Sequence, residues 1–365
     1  MKNKILVIGS TGKLGIKLLN FCKKKSIKID TATCFNNIKK LNLQIKKFDI
    51  KNGFQLNCPK KIINFKRHLE NSNFKLIYFL DHGSKSLLYL DIILKFQKKC
   101  HICIANKEMI IAGGALLIKS INKSKNYFIP MDSEHFSLIN NKISNDTVKK
   151  IYITASGGPI YFNKNINLNT VSKNKVLSHP KWEMGANNLI DSSNFINKIL
   201  ELYELSAIYN IDIDKLDFII SPEAFVHSII QYKDNTFSYN CFHNDMLITL
   251  IKPLTLIYNT NYNFRSINIF DQKNFFFEIP NDKRFLILSN LSKLKKLSHA
   301  QTIKFMILNN IAQNLYLSNK LKYIEIPKFI LKHLFSSDQN TIFNNFKKII
   351  NYILYLEKQY KKYYV

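Results

Sequence analysis

Ile5-Leu6-Val7-Ile8 runs directly into Gly9-Ser10-Thr11-Gly12-Lys13-Leu14-Gly15, and an amphipathic pattern continues through Phe21. A short apolar strand that turns on glycines into a helix opens a βαβ unit. It commits the chain to a parallel sheet covered by helices. Glycine permits a tight turn and a close approach of backbone to a ligand, and the helix N-terminus offers N–H groups to an anion. The spacing is G-x-x-G-x-x-G, not the stricter G-x-G-x-x-G. On its own it fits a dinucleotide pyrophosphate or a plain strand–helix turn. Strand patterns over 28–34, 75–80 and 100–105, with a helix over 86–97, continue the same architecture.

The second strand ends at Phe35-Asn36-Asn37. A carboxylate at that point would bind a ribose hydroxyl and favour NAD. Asp30 falls earlier, inside the strand, while Lys39 and Lys40 follow closely, so the pattern leans toward NADP. Beyond it, polar, turn-prone segments interrupt an apolar chain. Asn106-Lys107-Glu108 stands at a strand's C-terminal end, where open α/β sheets place ligands, although helix capping explains it equally. In Asp132-Ser133-Glu134 an extended backbone would point both carboxylates the same way, toward one hard cation. Thr154-Ala155-Ser156-Gly157-Gly158-Pro159 offers a hydroxyl and backbone N–H groups, as anion nests do. His179-Pro180-Lys181-Trp182-Glu183-Met184-Gly185 carries the single Trp in a polar loop, suited to a movable, water-excluding lid. Over Asp191–Glu201 a continuous helix is expected, with Asn194, Asn197, Lys198, Glu201 and Glu204 on one stripe. The blander reading of that stripe is a solvated face. Ile219 to Ser228 reads as strand, turn, strand and carries His227.

In this order and spacing the segments resemble the 1-deoxy-D-xylulose 5-phosphate reductoisomerase family of the non-mevalonate isoprenoid pathway. The resemblance spans residues 1 to about 255, is most specific between Asn106 and His227, and is weak in the C-terminal third. It implies an NADPH-dependent oxidoreductase that rearranges the carbon skeleton of a phosphosugar and then reduces it, giving 2-C-methyl-D-erythritol 4-phosphate. By resemblance, Asp132, Glu134 and Glu201 hold Mn²⁺ or Mg²⁺. Ser133, Ser156, His179, Ser192, Asn197, Lys198 and Glu201 face the substrate. Lys107, Glu134, His179 and His227 are the catalytic candidates. Thr11, Gly12, Lys13, Leu14, Asn36, Asn37, Asn106, Glu108 and Gly185 face the cofactor. The chain departs from the family at Asn36, commonly basic, at Ala186 and Asn187, also commonly basic, and at Asp81-His82-Gly83-Ser84-Lys85-Ser86, where a glycine-rich turn is usual.

The formal net charge of +29 resembles that of a nucleic-acid-binding protein. The charge is nearly all Lys, however, with Arg only at 67, 265 and 284, and it is spread along the chain. Phosphate-reading surfaces favour clustered Arg. The excess of Lys, Asn, Ile, Phe and Tyr is what an AT-rich coding sequence produces, so no specific nucleic-acid partner is expected. Nor is a membrane partner, because no uncharged apolar run is long enough to span a bilayer. Cys100 and Cys103 form no second pair that would complete a zinc site, and free thiols in a reducing cytoplasm are expected. Length implies more than one domain. The expected layout is a Rossmann-like cofactor domain over 1–130, a mixed α/β catalytic and metal-binding domain with a flap over 131–255, a linker over 256–285 and a helical domain over 286–365. In the last, 299–318 reads as helical. Ser337 or Asp338 is a candidate cap for a helix marked by Ile342, Phe346, Ile349, Ile353 and Leu356. Family members are homodimers as a rule, which implies the same here. Two rival readings are a related metal-dependent NAD(P) oxidoreductase with another phosphorylated substrate, and a non-catalytic degenerate homologue.

Overall fold

The computed structural model describes residues 3–179, 185–258, 274–335 and 341–363. It divides into two compact units, Met1–Ile139 with Asp245–Ser266, and Asn140–Asn244 with Ile267–Val365.

The first unit alternates strand and helix: β1 (Ile5–Ile8), α1 (Lys13–Lys24), β2 (Thr31–Cys34), α2 (Ile38–Phe48), β3 (Asn52–Gln55), α3 (Pro59–Glu70), β4 (Leu76–Phe79), α4 (Ser86–Phe96), β5 (His101–Ile104), α5 (Lys107–Lys123), β6 (Tyr127–Pro130) and the short α6 (Ser133–Phe136). The strands form one parallel sheet in the order β3-β2-β1-β4-β5-β6. Ile5, Leu6, Val7 and Ile8 are at most 1% exposed, as a strand covered on both faces requires. The order reverses at the β1–β4 pair, the point past whose carboxyl ends open α/β sheets bind ligands.

The second unit is built on β7 (Val148–Ala155), β8 (Leu216–Ile220), β9 (Val226–Tyr232) and β10 (Phe237–Cys241). Their order is β10-β9-β7-β8, with β7 and β8 parallel and the other pairs antiparallel. α7 (Lys173–Val176), α8 (Ala186–Ser193) and α9 (Ile196–Tyr209) lie between β7 and β8 in the chain. α10 (Met246–Ile251) returns to the first unit, where Tyr78 Oη donates to Leu250 O at 2.8 Å. α11 (Leu286–Ser289), α12 (Leu291–Leu294), α13 (His299–Leu317), α14 (Glu325–Leu334) and α15 (Phe346–Gln359) complete the second unit. α13 starts on a capping box between Ser298 and Gln301 and is buried along most of its length. The fold is therefore the expected one, a Rossmann-like sheet, a mixed α/β part and a helical C-terminal part.

Three local expectations change. The stretch 191–201 is not one helix: α8 ends at Asn194, Phe195 adopts φ +68°, and α9 begins at Ile196. The Phe195 ring accounts for the break, since it is 1% exposed and packs against Tyr161, Phe218 and Phe285. Asp132-Ser133-Glu134 is not extended: Asp132 is the N-cap of α6, and its Oδ1 accepts from Glu134 N at 3.1 Å. Capping an otherwise orphaned N–H outweighs extension there. Ile342 is 88% exposed and precedes α15, which Asn345 caps. Ser337 and Asp338 lie outside the described residues, as do Pro180, Lys181, Trp182, Glu183 and Met184 of the expected flap and residues 259–273 of the expected linker. Among the described residues no helix is long and apolar enough to cross a membrane.

Candidate active site

In the first unit the glycine turn has the close approach that motivates it. Gly9 sits at φ +79°, and a Cβ there would lie 2.6 Å from Asp81 N, so only glycine fits against the end of β4. Gly12 is the N-cap of α1, with Thr11 before it and Lys13 and Leu14 in the first turn. Asn36 and Asn37 follow β2. The Asn37 side chain accepts from Lys40 N at 3.0 Å, and Asn36 O accepts from Gln55 Nε2 at 3.2 Å.

Asp81 follows β4, where the family's small-residue turn is expected. Its carboxylate accepts from Ser86 Oγ at 2.5 Å and from Asn106 Nδ2 at 3.3 Å. Burial pushes the Asp81 carboxyl up to about 6, against those hydrogen bonds. Asn106 is 1% exposed; its amide also donates to Gly83 O and to Ser86 Oγ, and its Oδ1 caps α5 at Met109 N. It thus ties the 81–86 turn to the start of α5. Lys107, next in the chain, puts its Nζ 3.8 Å from Asp132 Oδ2. Ser133 Oγ donates to Glu134 Oε2 at 2.6 Å, so Lys107, Asp132, Ser133 and Glu134 form one cluster; Glu108 lies in the same first turn of α5.

In the second unit the polar stripe is not solvated. Lys198, Glu201 and Glu204 are 8%, 1% and 1% exposed. Lys198 Nζ meets Glu201 Oε2 at 2.6 Å, and Asn197 Nδ2 donates to Glu201 Oε1. A buried carboxylate persists only when paired and hydrogen-bonded. Ser156 Oγ is 3.2 Å from His179 Nε2. Burial first, and Lys198 second, lower the His179 imidazole to about 4, so it is neutral near pH 7. Gly157 and Gly158 follow at φ +83° and +61°, and a Cβ on Gly158 would lie 3.1 Å from Ser192 O. The glycines therefore lay the Ser156 loop against the end of α8, which brings Ser156, His179, Ser192, Asn197 and Lys198 into one region of this unit. Gly185 is the N-cap of α8. His227 is 1% exposed on β9, stacked on Phe242 with ring centroids 4.0 Å apart and its Nε2 3.1 Å from Phe242 O, the environment of a packed histidine.

Sequence reasoning missed one group. Asp191, beside Ser192, accepts from Asn309 Nδ2 at 2.9 and 3.1 Å and from Gln313 Nε2 at 2.6 Å, all three buried. The only signal in the chain is the polar pair at 309 and 313, four apart within an apolar helix.

The model of the 1-deoxy-D-xylulose 5-phosphate reductoisomerase C-terminal domain matches residues 128–209. A 1-deoxy-D-xylulose 5-phosphate reductoisomerase of Pelagibacter ubique is 33% identical, over 95% of this chain and 93% of the relative. That of Clostridium novyi is 28% identical over 96% of each. Among solved structures, the reductoisomerase from Zymomonas mobilis in complex with NADPH superposes with a TM-score of 0.82 at 22% identity, covering 98% of both chains. A reductoisomerase in complex with NADPH, fosmidomycin and magnesium gives 0.84 at 20% identity, covering 99% of this chain and 97% of the other.

Proposed function

The chain belongs to the 1-deoxy-D-xylulose 5-phosphate reductoisomerase family, and from that premise we infer that it converts 1-deoxy-D-xylulose 5-phosphate to 2-C-methyl-D-erythritol 4-phosphate with NADPH. Asp132, Glu134 and Glu201 are the residues that would hold Mg²⁺ or Mn²⁺. The donor set fits, because three carboxylates offer only hard oxygen ligands. When bound, such an ion supplies Lewis-acid polarisation of substrate oxygens. The chain's own residues bind and orient. Lys107 presents an ammonium beside Asp132 toward substrate hydroxyls. Ser156, Ser192, Asn197 and Lys198 supply hydroxyl, amide and ammonium donors for the phosphate, with neutral His179 hydrogen-bonding Ser156. Ser133 also faces the substrate. Thr11, Gly12, Lys13 and Leu14 receive the pyrophosphate at the N-terminus of α1; Asn36 and Asn37 take the ribose end, and Asn106, Glu108 and Gly185 the remaining cofactor contacts. The functional division is the cofactor domain over 1–130, the catalytic domain over 131–255 and the helical domain beyond 286. We place the enzyme in the cytoplasm, supported by six free cysteines.

One observation carries this reading: Lys198 and Glu201 are buried and paired with each other, with half-buried Asn197 hydrogen-bonded to the same carboxylate, rather than solvated. A water-facing helix has no use for it. Oxidation of NADPH by the full chain, followed by loss of nicotinamide absorbance with and without Mg²⁺ or Mn²⁺, tests it. Metal-dependent turnover in the wild type is expected. In Glu201→Gln turnover falls by roughly a hundredfold or more, in line with loss of a transition-state charge stabiliser. A folded wild type that turns over with neither metal removes the assignment.

A further inference from the structure

β2 runs into Phe35-Asn36-Asn37, none of them charged, so the extra phosphate that separates NADPH from NADH must be met from elsewhere. Two helices begin at that edge of the sheet, α2 after β2 and α3 after β3, and neither has an acidic residue in its first turn. The first turn of α3 carries Lys61. Its Nζ donates to Gln55 Oε1, and Gln55 Nε2 donates in turn to Asn36 O at 3.2 Å. Gln55 is 9% exposed at the end of β3, so the link is anchored while the ammonium remains accessible. The Lys61 charge is also felt at Cys34, the last residue of β2, where it lowers a thiol that burial raises. Among the described residues no carboxylate pairs with Lys61. Phe35, 48% exposed beside Asn36, adds an apolar face at the same strand end.

We propose that Lys61 binds the 2′-phosphate of NADPH and sets the preference for NADPH over NADH, with Gln55 holding its ammonium beside Asn36. The positive charge stands on the helix of the next βαβ unit, and a glutamine bridges it to the strand end. The proposal rests on the NADPH-dependent reading above and adds the residue responsible for the choice of nucleotide. An ammonium is a compact charge that serves a dianionic phosphate as well as a guanidinium does at a single contact.

The test is equilibrium binding of NADPH and of NADH to the full chain without substrate, read by nicotinamide fluorescence, for wild type, Lys61→Gln, Lys61→Arg and Lys39→Gln. The expected result is tighter binding of NADPH by wild type and loss of that binding in Lys61→Gln by roughly tenfold or more, with NADH unchanged. Lys61→Arg retains the preference, and raising the salt concentration erodes it in wild type but not in Lys61→Gln. Lys61 is exposed, so these variants are expected to fold. An unchanged Lys61→Gln, an equal loss of both nucleotides, or a loss seen only in Lys39→Gln overturns the assignment. A folded wild type that binds NADH but not NADPH overturns it while leaving a nucleotide-dependent enzyme in place. A wild type that binds neither nucleotide removes the cofactor reading as well.

Discussion

Asp81 opens the 81–86 segment in which the chain departs from the expected glycine-rich turn, and its chemistry makes a prediction. A carboxylate stands where a small-residue turn is usual, sealed by Ser86 and Asn106, and its burial raises it to about 6 from an ordinary 3.8. Between those two values the folded chain holds a proton that the unfolded chain has released. Stability contributed by the protonated group is therefore complete below 3.8 and lost as pH rises through about 6. Asp81→Asn removes the burden of a buried charge, and the Ser86 hydroxyl can turn to accept from the new amide. The variant is expected to match the wild type in denaturant unfolding at about pH 4 and to exceed it by on the order of 2 kcal/mol at neutral pH. Equal unfolding midpoints at both pH values would show that Asp81 carries no such cost. None of this was legible in the sequence: the six residues Asp81 to Ser86 mark a departure, but only the approach of Gly9 and Asn106 shows how tightly the carboxylate is enclosed.

At the scale of elements, the junction between α8 and α9 matters most. Phe195 accepts a left-handed conformation, costly for a bulky residue, because its ring fills an aromatic cluster. That break sets the start of α9 and so fixes which side of the helix Asn197, Lys198 and Glu201 present. The end of α8 is held separately, by Asp191 in the grip of Asn309 and Gln313 on α13. The C-terminal helix α13 thus clamps the segment that carries Ser192. Asn309→Leu deprives a buried carboxylate of one partner and is expected to cost about 1–3 kcal/mol in urea unfolding. Because Ser192 adjoins Asp191, the Michaelis constant for the phosphosugar rises more than turnover falls. A stability loss with both kinetic constants unchanged would reduce the contact to packing alone. A 3.6-residue pattern finds helices, but it cannot place a one-residue left-handed link whose cause is a cluster of rings distant in sequence.

At the scale of the whole molecule, β10 is the edge strand of its sheet among the described residues and shows Phe237 and Tyr239 at 52% and 55% exposure. An uncovered edge with aromatic side chains is a surface that soluble proteins cover. We propose that a second copy of this chain covers it. Light scattering is expected to give the mass of two chains for wild type and of one for Phe237→Lys combined with Tyr239→Lys. A wild type that stays monomeric at micromolar concentration argues against this assignment. The charge of +29 bears on a different property, solubility and weak attraction to polyanions at low salt, and not on fold.

The sequence by itself determined the class of fold and the chemistry on offer. Period-two and period-3.6 patterns and the glycine spacing reflect local sterics, and they found the parallel sheet, the strand–turn–strand around His227 and the long helix from His299. The order of carboxylates, hydroxyls and lysines was enough to identify the family. Tertiary structure decided what those groups experience. It buried Lys198, Glu201 and Glu204, turned Asp132 into a helix cap, enclosed Asp81 and brought Lys61 to Asn36 through Gln55. Burial and partnership depend on residues far apart in the chain, and their energies exist only once those residues meet.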